Sequence, residues 1–405
     1  MVYSVQDREI VRDLARRVIE CAHEPKMAPI VKRWADVNAL RKPDRAPVYC
    51  RPVGCWSEIL PAEAIQCEDP WLRGFEYRFR QILHKRDIGD DTPIDGYFSA
   101  SAAFDVTPPN VWGVEIRRVP TDVKGGAWAY DASLRTEKDF DALQLPQYVY
   151  NDAKTKANIE ELSELLGDIA PVKLGVGAPL SATLGNMASD LFGLEQMMLD
   201  MVDRPKLVHR LMKYMSDAVL GGVKQIEEMN MVTPNNVGAM TASDPIGDVS
   251  DGSGGSFKNC WCMANSQEFD QVSPQMWDEF CLQYQKPIFE RYGLVGYGCC
   301  ENLTHKIDGV LTIPNLRIFV SSAWTDLGTV LSKIGTDYCI MWRQKASDVV
   351  YSEESRVRDD LLKGAENLKG HYYQIVLREL QTLAGNLDRL HVWTRHAIEA
   401  AERFS

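Results

Sequence analysis

Six short segments of this chain end in residues that can do chemistry. They are Trp56 beside Cys55; Asn265, Ser266, Gln267 and Glu268; Cys299, Cys300 and Glu301; Trp324 and Asp326; Trp342 and Arg343; and Arg378 with Glu379. Polar and aromatic groups converging from separate segments would make a concave site for an aromatic or planar ligand. Each group also has a plainer reading. Consecutive strand residues alternate, so one of Cys299 and Cys300 would face a site and the other would pack beneath a helix. Cys260 and Cys262 share a face by the same rule and read as a packed pair, and Cys50 with Cys55 as structural. Arg343 and Arg378 would serve to neutralise nearby carboxylates, and His305 reads as a helix-start or surface residue. Trp56, Trp324 and Trp342 are candidates to line an aromatic pocket.

The elements that must position these groups alternate along the chain. Residues 1–45 carry helical periodicity, with Ile10, Leu14, Val18 and Ile19 on one apolar face, and run into a basic loop from Arg41 to Arg45. From Pro47 onward, short apolar strand candidates are each followed by a longer amphipathic segment, the pattern of parallel strands with helical crossovers. Strands are expected at Val172 to Val176, Asn236 to Met240, Cys260 to Ala264, one ending in Tyr297-Gly298-Cys299-Cys300-Glu301, Ile318 to Ser321, Tyr338 to Trp342 and Tyr372 to Leu377. Helices are expected from an Asp203 cap with Pro205 in the first turn, from a Ser273 cap with Pro274, from about Thr304, up to Gly335 and after Ser352. Val208, Leu211, Met212 and Met215 form one apolar stripe and read as core. The Gly- and Asp-rich stretch from Asp244 to Gly255 is too long for a simple turn and reads as functional or mobile. The expected fold is α/β, a (β/α)8 TIM barrel occupying the whole of 1–405 as one domain, with 1–45 as a helical extension. In such a barrel the strand ends named above share one open face.

The composition, with 45% hydrophobic and 25% charged residues, is that of an ordinary soluble globular protein able to bury a large core. Against 45 basic residues stand 57 acidic ones, a formal charge of -12 that repels polyanions and argues against a nucleic-acid partner. No run approaches the roughly 18 uninterrupted apolar residues of a membrane span, and the charged, amphipathic N-terminus is unlike an export signal. A cytoplasmic location is expected, and with it reduced thiols for the ten cysteines.

Three stretches carry a family resemblance. Asp203-Arg204-Pro205-Lys206-Leu207-Val208, Asn265-Ser266-Gln267-Glu268 leading to Val272-Ser273-Pro274-Gln275-Met276, and Tyr297-Gly298-Cys299-Cys300-Glu301 resemble the uroporphyrinogen-decarboxylase superfamily. More narrowly, they are similar to its corrinoid-dependent methyltransferases of anaerobic bacteria, over about residues 160 to 395. The resemblance implies a barrel whose mouth takes a methyl donor and docks a separate corrinoid protein. Decarboxylases of the superfamily grip substrate carboxylates with an Arg-rich N-terminal loop; here Cys50-Arg51-Pro52-Val53-Gly54-Cys55-Trp56 offers only Arg51. Its zinc-dependent thiol methylases use a His-x-Cys pair and a second cysteine near the last strand. Here Tyr297 replaces the histidine, and the last strand offers Glu379 and no cysteine. Cys299, Glu301 and Glu379 remain a possible mixed thiolate and carboxylate zinc site.

Attack on a methyl ether by cobalt(I) expels an alkoxide or phenolate, a poor leaving group unless protonated or metal-bound. Glu301 or Glu379, with a carboxyl pKa raised in a partly apolar mouth, would be that acid. Asn265, Gln267, Tyr297, Trp56, Trp324, Trp342 and Arg343 are the expected substrate contacts. The reading is a methyltransferase for O-demethylation, moving a methyl group from a small O-methylated donor, with a methoxylated aromatic as one case, to the cobalt of a corrinoid protein. A decarboxylase and a non-catalytic corrinoid-binding protein are the alternatives, the first favoured by several arginines around the mouth. A homodimer is expected from the prevalence of that state.

Overall fold

The computed structural model describes residues 3–120, 128–247 and 255–405. Among these, twelve strands form: β1 (Val48–Pro52), β2 (Phe98–Ser101), β3 (Phe104–Thr107), β4 (Arg117–Pro120), β5 (Trp128–Asp131), β6 (Gln147–Tyr150), β7 (Val172–Gly175), β8 (Trp261–Ala264), β9 (Leu294–Tyr297), β10 (Leu316–Ser321), β11 (Cys339–Gln344) and β12 (Tyr372–Leu380). Apolar runs such as Cys339-Ile340-Met341 and Ile318-Phe319-Val320 are buried on both faces, as interior strands of a parallel sheet must be. Six strands accordingly pair in parallel, in the order β1-β12-β11-β10-β9-β8.

This curled sheet is half a barrel, and the expected closed ring of eight is not laddered among the described residues. β2 and β7 pair with each other in a sheet of their own. Side chains take the backbone groups at both free edges. At β1, the Val48 and Cys50 N–H groups donate to the carboxylates of Asp91 (2.7 Å) and Asp90 (2.8 Å). At β8, Asn235 accepts from the Trp261 N–H (2.7 Å) and donates to its carbonyl (2.9 Å), while Thr233 bonds both the N–H and the carbonyl of Val176 beyond β7. An edge whose polar groups are already satisfied has no need of a further strand.

The strand expected at Asn236 to Met240 is a loop, because Gly238 and Met240 adopt φ of 79° and 74°, a left-handed backbone that no strand permits. The Asp203 cap shifts by one: helix Pro205–Glu228 begins after Arg204, whose guanidinium pairs with Asp200. Its stripe Val208, Leu211, Met212 and Met215 is fully buried core. Ser273 caps its helix as expected, accepting from the Met276 N–H. Antiparallel pairs β3–β6 and β4–β5 lie between β2 and β7 in the chain. Of residues 244–255, those from 248 to 254 lie outside the described residues.

The N-terminal helices are part of the core. Helix Val5–Ala22 buries Val11, Leu14, Val18 and Ile19 in the same cluster as Ile318, Val320, Cys339, Met341 and Val376. Helix Met27–Asn38 ends at Asn38, which accepts from Gln374 of β12 (2.8 Å) and donates to the carbonyls of Met240 and Ala242. The opposite sheet face, with Phe319, Ile340, Ile375 and Leu377, packs under the crossover helices. Among the described residues no helix is long and apolar enough to cross a membrane.

Candidate active site

The C-terminal ends of β1, β8, β9, β11 and β12 lie along one edge of the sheet because these strands are parallel. After β9 the chain turns at Gly298, whose φ of 112° suits glycine, and whose missing Cβ would meet Leu303, Val320 and the Val320 carbonyl within 3.1 Å. The turn delivers Cys299, Cys300 and Glu301. Glu301 is 2% exposed and points back into the fold. Its two oxygens accept from the Ser266 N–H (2.8 Å) and the Cys299 N–H (3.0 Å), pinning the β9 turn to the end of β8. Burial raises its carboxyl pKa, although both N–H bonds act the other way.

Cys299 and Cys300 place their sulfurs 3.6 Å apart. The Arg343 guanidinium lies 3.4 Å from the Cys299 sulfur and 3.2 Å from its carbonyl, and Arg378 lies 3.0 Å from the Cys300 sulfur. The hydrogen bond shared with Cys300 holds the Cys299 thiol well below its usual range, with Arg343 and the Gln267 side chain helping against burial. Cys300 moves upward for the converse reason, since two thiols this close cannot both ionise and burial adds to the effect.

Arg343 and Arg378 reach the same place by different routes. On β11, Arg343 shares a face with Cys339 and Met341 by simple alternation. On β12 the pairing with β1 runs Cys50 to Leu377 and then Pro52 to Leu380, two residues against three. This bulge lets the neighbours Arg378 and Glu379 both turn toward the mouth, which a regular strand forbids. Glu379 pairs with Arg51 of β1 and lies 3.6 Å from Arg343. Burial works to raise its pKa, but the charges of Arg343, Arg51 and Arg378 outweigh it, and the carboxyl is held below its usual range. That is opposite to the shift expected of a proton donor at this position.

The structure thus brings Cys299, Glu301, Glu379, Arg343 and Gln267 together and sends other candidates elsewhere. Trp342 alternates with Arg343 and packs on the outer face against Gly364, where an added Cβ would lie 2.0 Å from the indole. Tyr297 is fully buried on that same side, donating to Gln285 (2.9 Å) and accepting from Trp277 (3.3 Å). Neither contacts the mouth, because β9 and β11 turn these positions outward. Trp56 stands edge-on to His84. Trp324 is half exposed with the Lys345 ammonium 4.9 Å above its ring, and Asn265 accepts from the Gln267 N–H at 3.4 Å. Cys50, Cys55, Cys260 and Cys262 are buried, and His305 is exposed.

One acid at the strand ends had been given no role. Burial raises the pKa of Glu268, and the charge of Cys299 adds to the effect. Its Oε2 is buried without a hydrogen-bond partner, close against Gly185 at the start of helix Leu184–Phe192. The available signal was its place in Asn265-Ser266-Gln267-Glu268, immediately after β8. Two more buried polar atoms here lack partners, Nε of Arg343 and Oε2 of Glu379. A hollow of about 290 Å3 opens at the other end of the sheet, walled by Lys42, Arg45, His371, Tyr373 and Phe404; none of the sequence candidates lines it.

The donor set does not fit a metal ion. Both Glu301 oxygens are taken by N–H groups and Glu379 is held by arginines, and among the described residues no three His, Cys, Asp or Glu side chains gather as a metal-holding group.

No family model and no curated protein matches the chain. Solved structures do share the fold. One is a methyltransferase from Methanosarcina mazei, superposing with a TM-score of 0.50 over 91% of this chain and 98% of that one, at 10% sequence identity. At that identity the likeness is one of fold alone.

Proposed function

We propose that this protein is a methyltransferase that moves a methyl group from a small O-methylated donor to the cobalt of a separate corrinoid protein, within a barrel completed by the β2–β7 pair. The observation that carries the reading is the set of unpartnered buried atoms around the vicinal cysteines: Arg343 Nε, Glu379 Oε2 and Glu268 Oε2. Unpaired buried polar groups are costly, by about 1–3 kcal/mol each, so a polar ligand that satisfies them binds with that gain. The fold shared with a methyltransferase supports the same reading.

The corrinoid of the partner supplies the nucleophile, and the chain has to orient the methyl group and accommodate the departing oxygen. Guanidiniums of Arg343, Arg378 and Arg51, fixed by their own pairs, stabilise negative charge on that oxygen as it develops. Glu268, with its raised pKa, supplies the proton. Glu301 is a positioning residue that holds the Cys299 turn, and Glu379 sets the orientation of Arg51 and Arg343.

The test is methylcobalt(III) formation, followed by its visible spectrum, from reduced corrinoid protein and a panel of methoxybenzenes, methoxybenzoates, methanol and methylamines. Glu268→Gln should slow transfer by roughly a hundredfold to ten-thousandfold, the range for loss of a general acid. An unchanged rate rejects Glu268 as the donor. A decarboxylase is the second reading, favoured specifically by the three guanidiniums, which suit a substrate carboxylate. Carbon dioxide release from a carboxylated substrate without any methyl transfer would replace the first reading by the second.

A further inference from the structure

We infer that Cys299 and Cys300 form a peroxide-reactive dithiol, a covalent modification site that closes to a vicinal disulfide. Of the ten cysteines, eight are buried and only these two are partly open to solvent. Their sulfurs stand 3.6 Å apart and a disulfide needs about 2.0 Å; because neighbouring Cα atoms are only about 3.8 Å apart, closing the eight-membered ring requires the peptide between them to turn as well as the side chains. Each sulfur faces its own cation: Arg343 at 3.4 Å from Cys299, Arg378 at 3.0 Å from Cys300. Guanidiniums in those positions stabilise an attacking thiolate, and they also stabilise hydroxide as it departs. Another sulfur beside a cation, Cys50 with the Lys85 ammonium at 3.1 Å, is sealed inside the fold and its thiol is pushed up to about 12 by burial. Access and a resolving thiol distinguish the vicinal pair, and those are the attributes of oxidant-sensitive cysteines.

The chemistry closes in two steps. The Cys299 thiolate attacks one oxygen of hydrogen peroxide; the O–O bond breaks, Cys299 becomes a sulfenic acid, and the second oxygen leaves as water after taking a proton from solvent. The Cys300 sulfur then attacks the Cys299 sulfur, the S–O bond breaks, and hydroxide leaves as water with the Cys300 proton. Two thiols and one peroxide become one disulfide and two waters. The guanidiniums lose their thiol partners and turn to the mouth, so the modification alters the same surface that is proposed to receive the donor.

The test needs no knowledge of the substrate. Full-length protein is treated with limiting hydrogen peroxide and its peptides are mapped by mass under non-reducing conditions. The expected result is a loss of two hydrogens confined to the peptide holding Cys299 and Cys300, reversed by dithiothreitol. Cys300→Ser should stop at the sulfenic acid, trapped by dimedone on Cys299. Oxidation appearing first at any of the eight buried cysteines would overturn the inference, as would Cys299 in the unaltered protein passing to sulfinic acid without bridging.

Discussion

Replacing Arg343 by Gln tests the electrostatics of the mouth most directly. The guanidinium is 5% exposed, 3.4 Å from the Cys299 sulfur and 3.6 Å from Glu379. At an effective dielectric near 20, a unit charge at that range interacts by about 5 kcal/mol. Part of this is lost to solvent at a half-open mouth, and neighbouring charges in proteins shift pKa values by about 1–3 units. The sign is fixed: a cation favours the thiolate, so its removal must raise the Cys299 pKa. Glu379 reinforces the change, because with one arginine fewer its negative charge bears more heavily on the thiolate. The assay is the rate of iodoacetamide capture at Cys299, read from the peptide mass across a pH series. Its midpoint should rise by about 1–3 units in Arg343→Gln, and by less in Arg343→Lys, which keeps the charge but not the fork. A melting curve on each variant separates a local change from unfolding. A midpoint that does not move, in a variant that melts normally, would refute the assignment of Arg343 as the stabilising cation.

Glu379 should make stability depend on pH. Its folded pKa is depressed, so its contribution is present above the unfolded carboxylate pKa and is lost as pH falls through the folded value; urea unfolding should therefore show the gap between the unaltered protein and Glu379→Gln narrowing in acid. Gly364→Ala pits a helix-propensity gain of about 1 kcal/mol against a Cβ placed 2.0 Å from the Trp342 ring. Overpacking of that kind costs about 1–3 kcal/mol, and a lower urea midpoint is expected. Glu301→Gln gives the Ser266 and Cys299 N–H groups only one accepting oxygen between them, and should cost about 1–3 kcal/mol by the same measurement.

The sequence showed where chemistry could gather better than which way each side chain would turn. Strand ends were legible at Tyr297-Gly298, at Arg343 and at Arg378, since an apolar run gives way there to polar or glycine residues. Facing depends on parity, and parity is kept only while the ladder is regular. Trp342 and Tyr297 were misplaced because one residue either way reverses the face. Glu379 was placed correctly in space only because a bulge defeats the alternation, and no residue in Leu377-Arg378-Glu379-Leu380 advertises it. The pKa of Glu379 was misjudged for a related reason: its partner Arg51 stands 328 positions earlier in the chain, on β1. Burial of the carboxyl and the neutralising charges of Arg343 and Arg378 could each be anticipated, but not that these two, joined by Arg51, would outweigh the burial. The seams escaped notice as well, because Asp90, Asp91 and Asn235 look like ordinary loop residues until a strand edge lies beside them.

Those seams decide how the molecule comes apart. Within the six-stranded sheet, parting two neighbours means breaking a row of backbone bonds together, and the cost is collective. The β2–β7 leaf is joined at its flanks through Thr233, Asn235, Asp90 and Asp91, side-chain bonds each worth about 0.5–1.5 kcal/mol. Opening there should cost less than opening within the six-stranded sheet, although it must also expose Phe98 and Ala100, which pack in the core with Ile318 and Met341. Amide protons should accordingly sort into two populations, those of β2 and β7 exchanging through brief excursions and those of β10 to β12 through loss of the whole fold. A wall that breathes while its opposite side stays rigid also gives a bulky molecule a way in, by parting the leaf and leaving the arginines and cysteines of the far side where they stand.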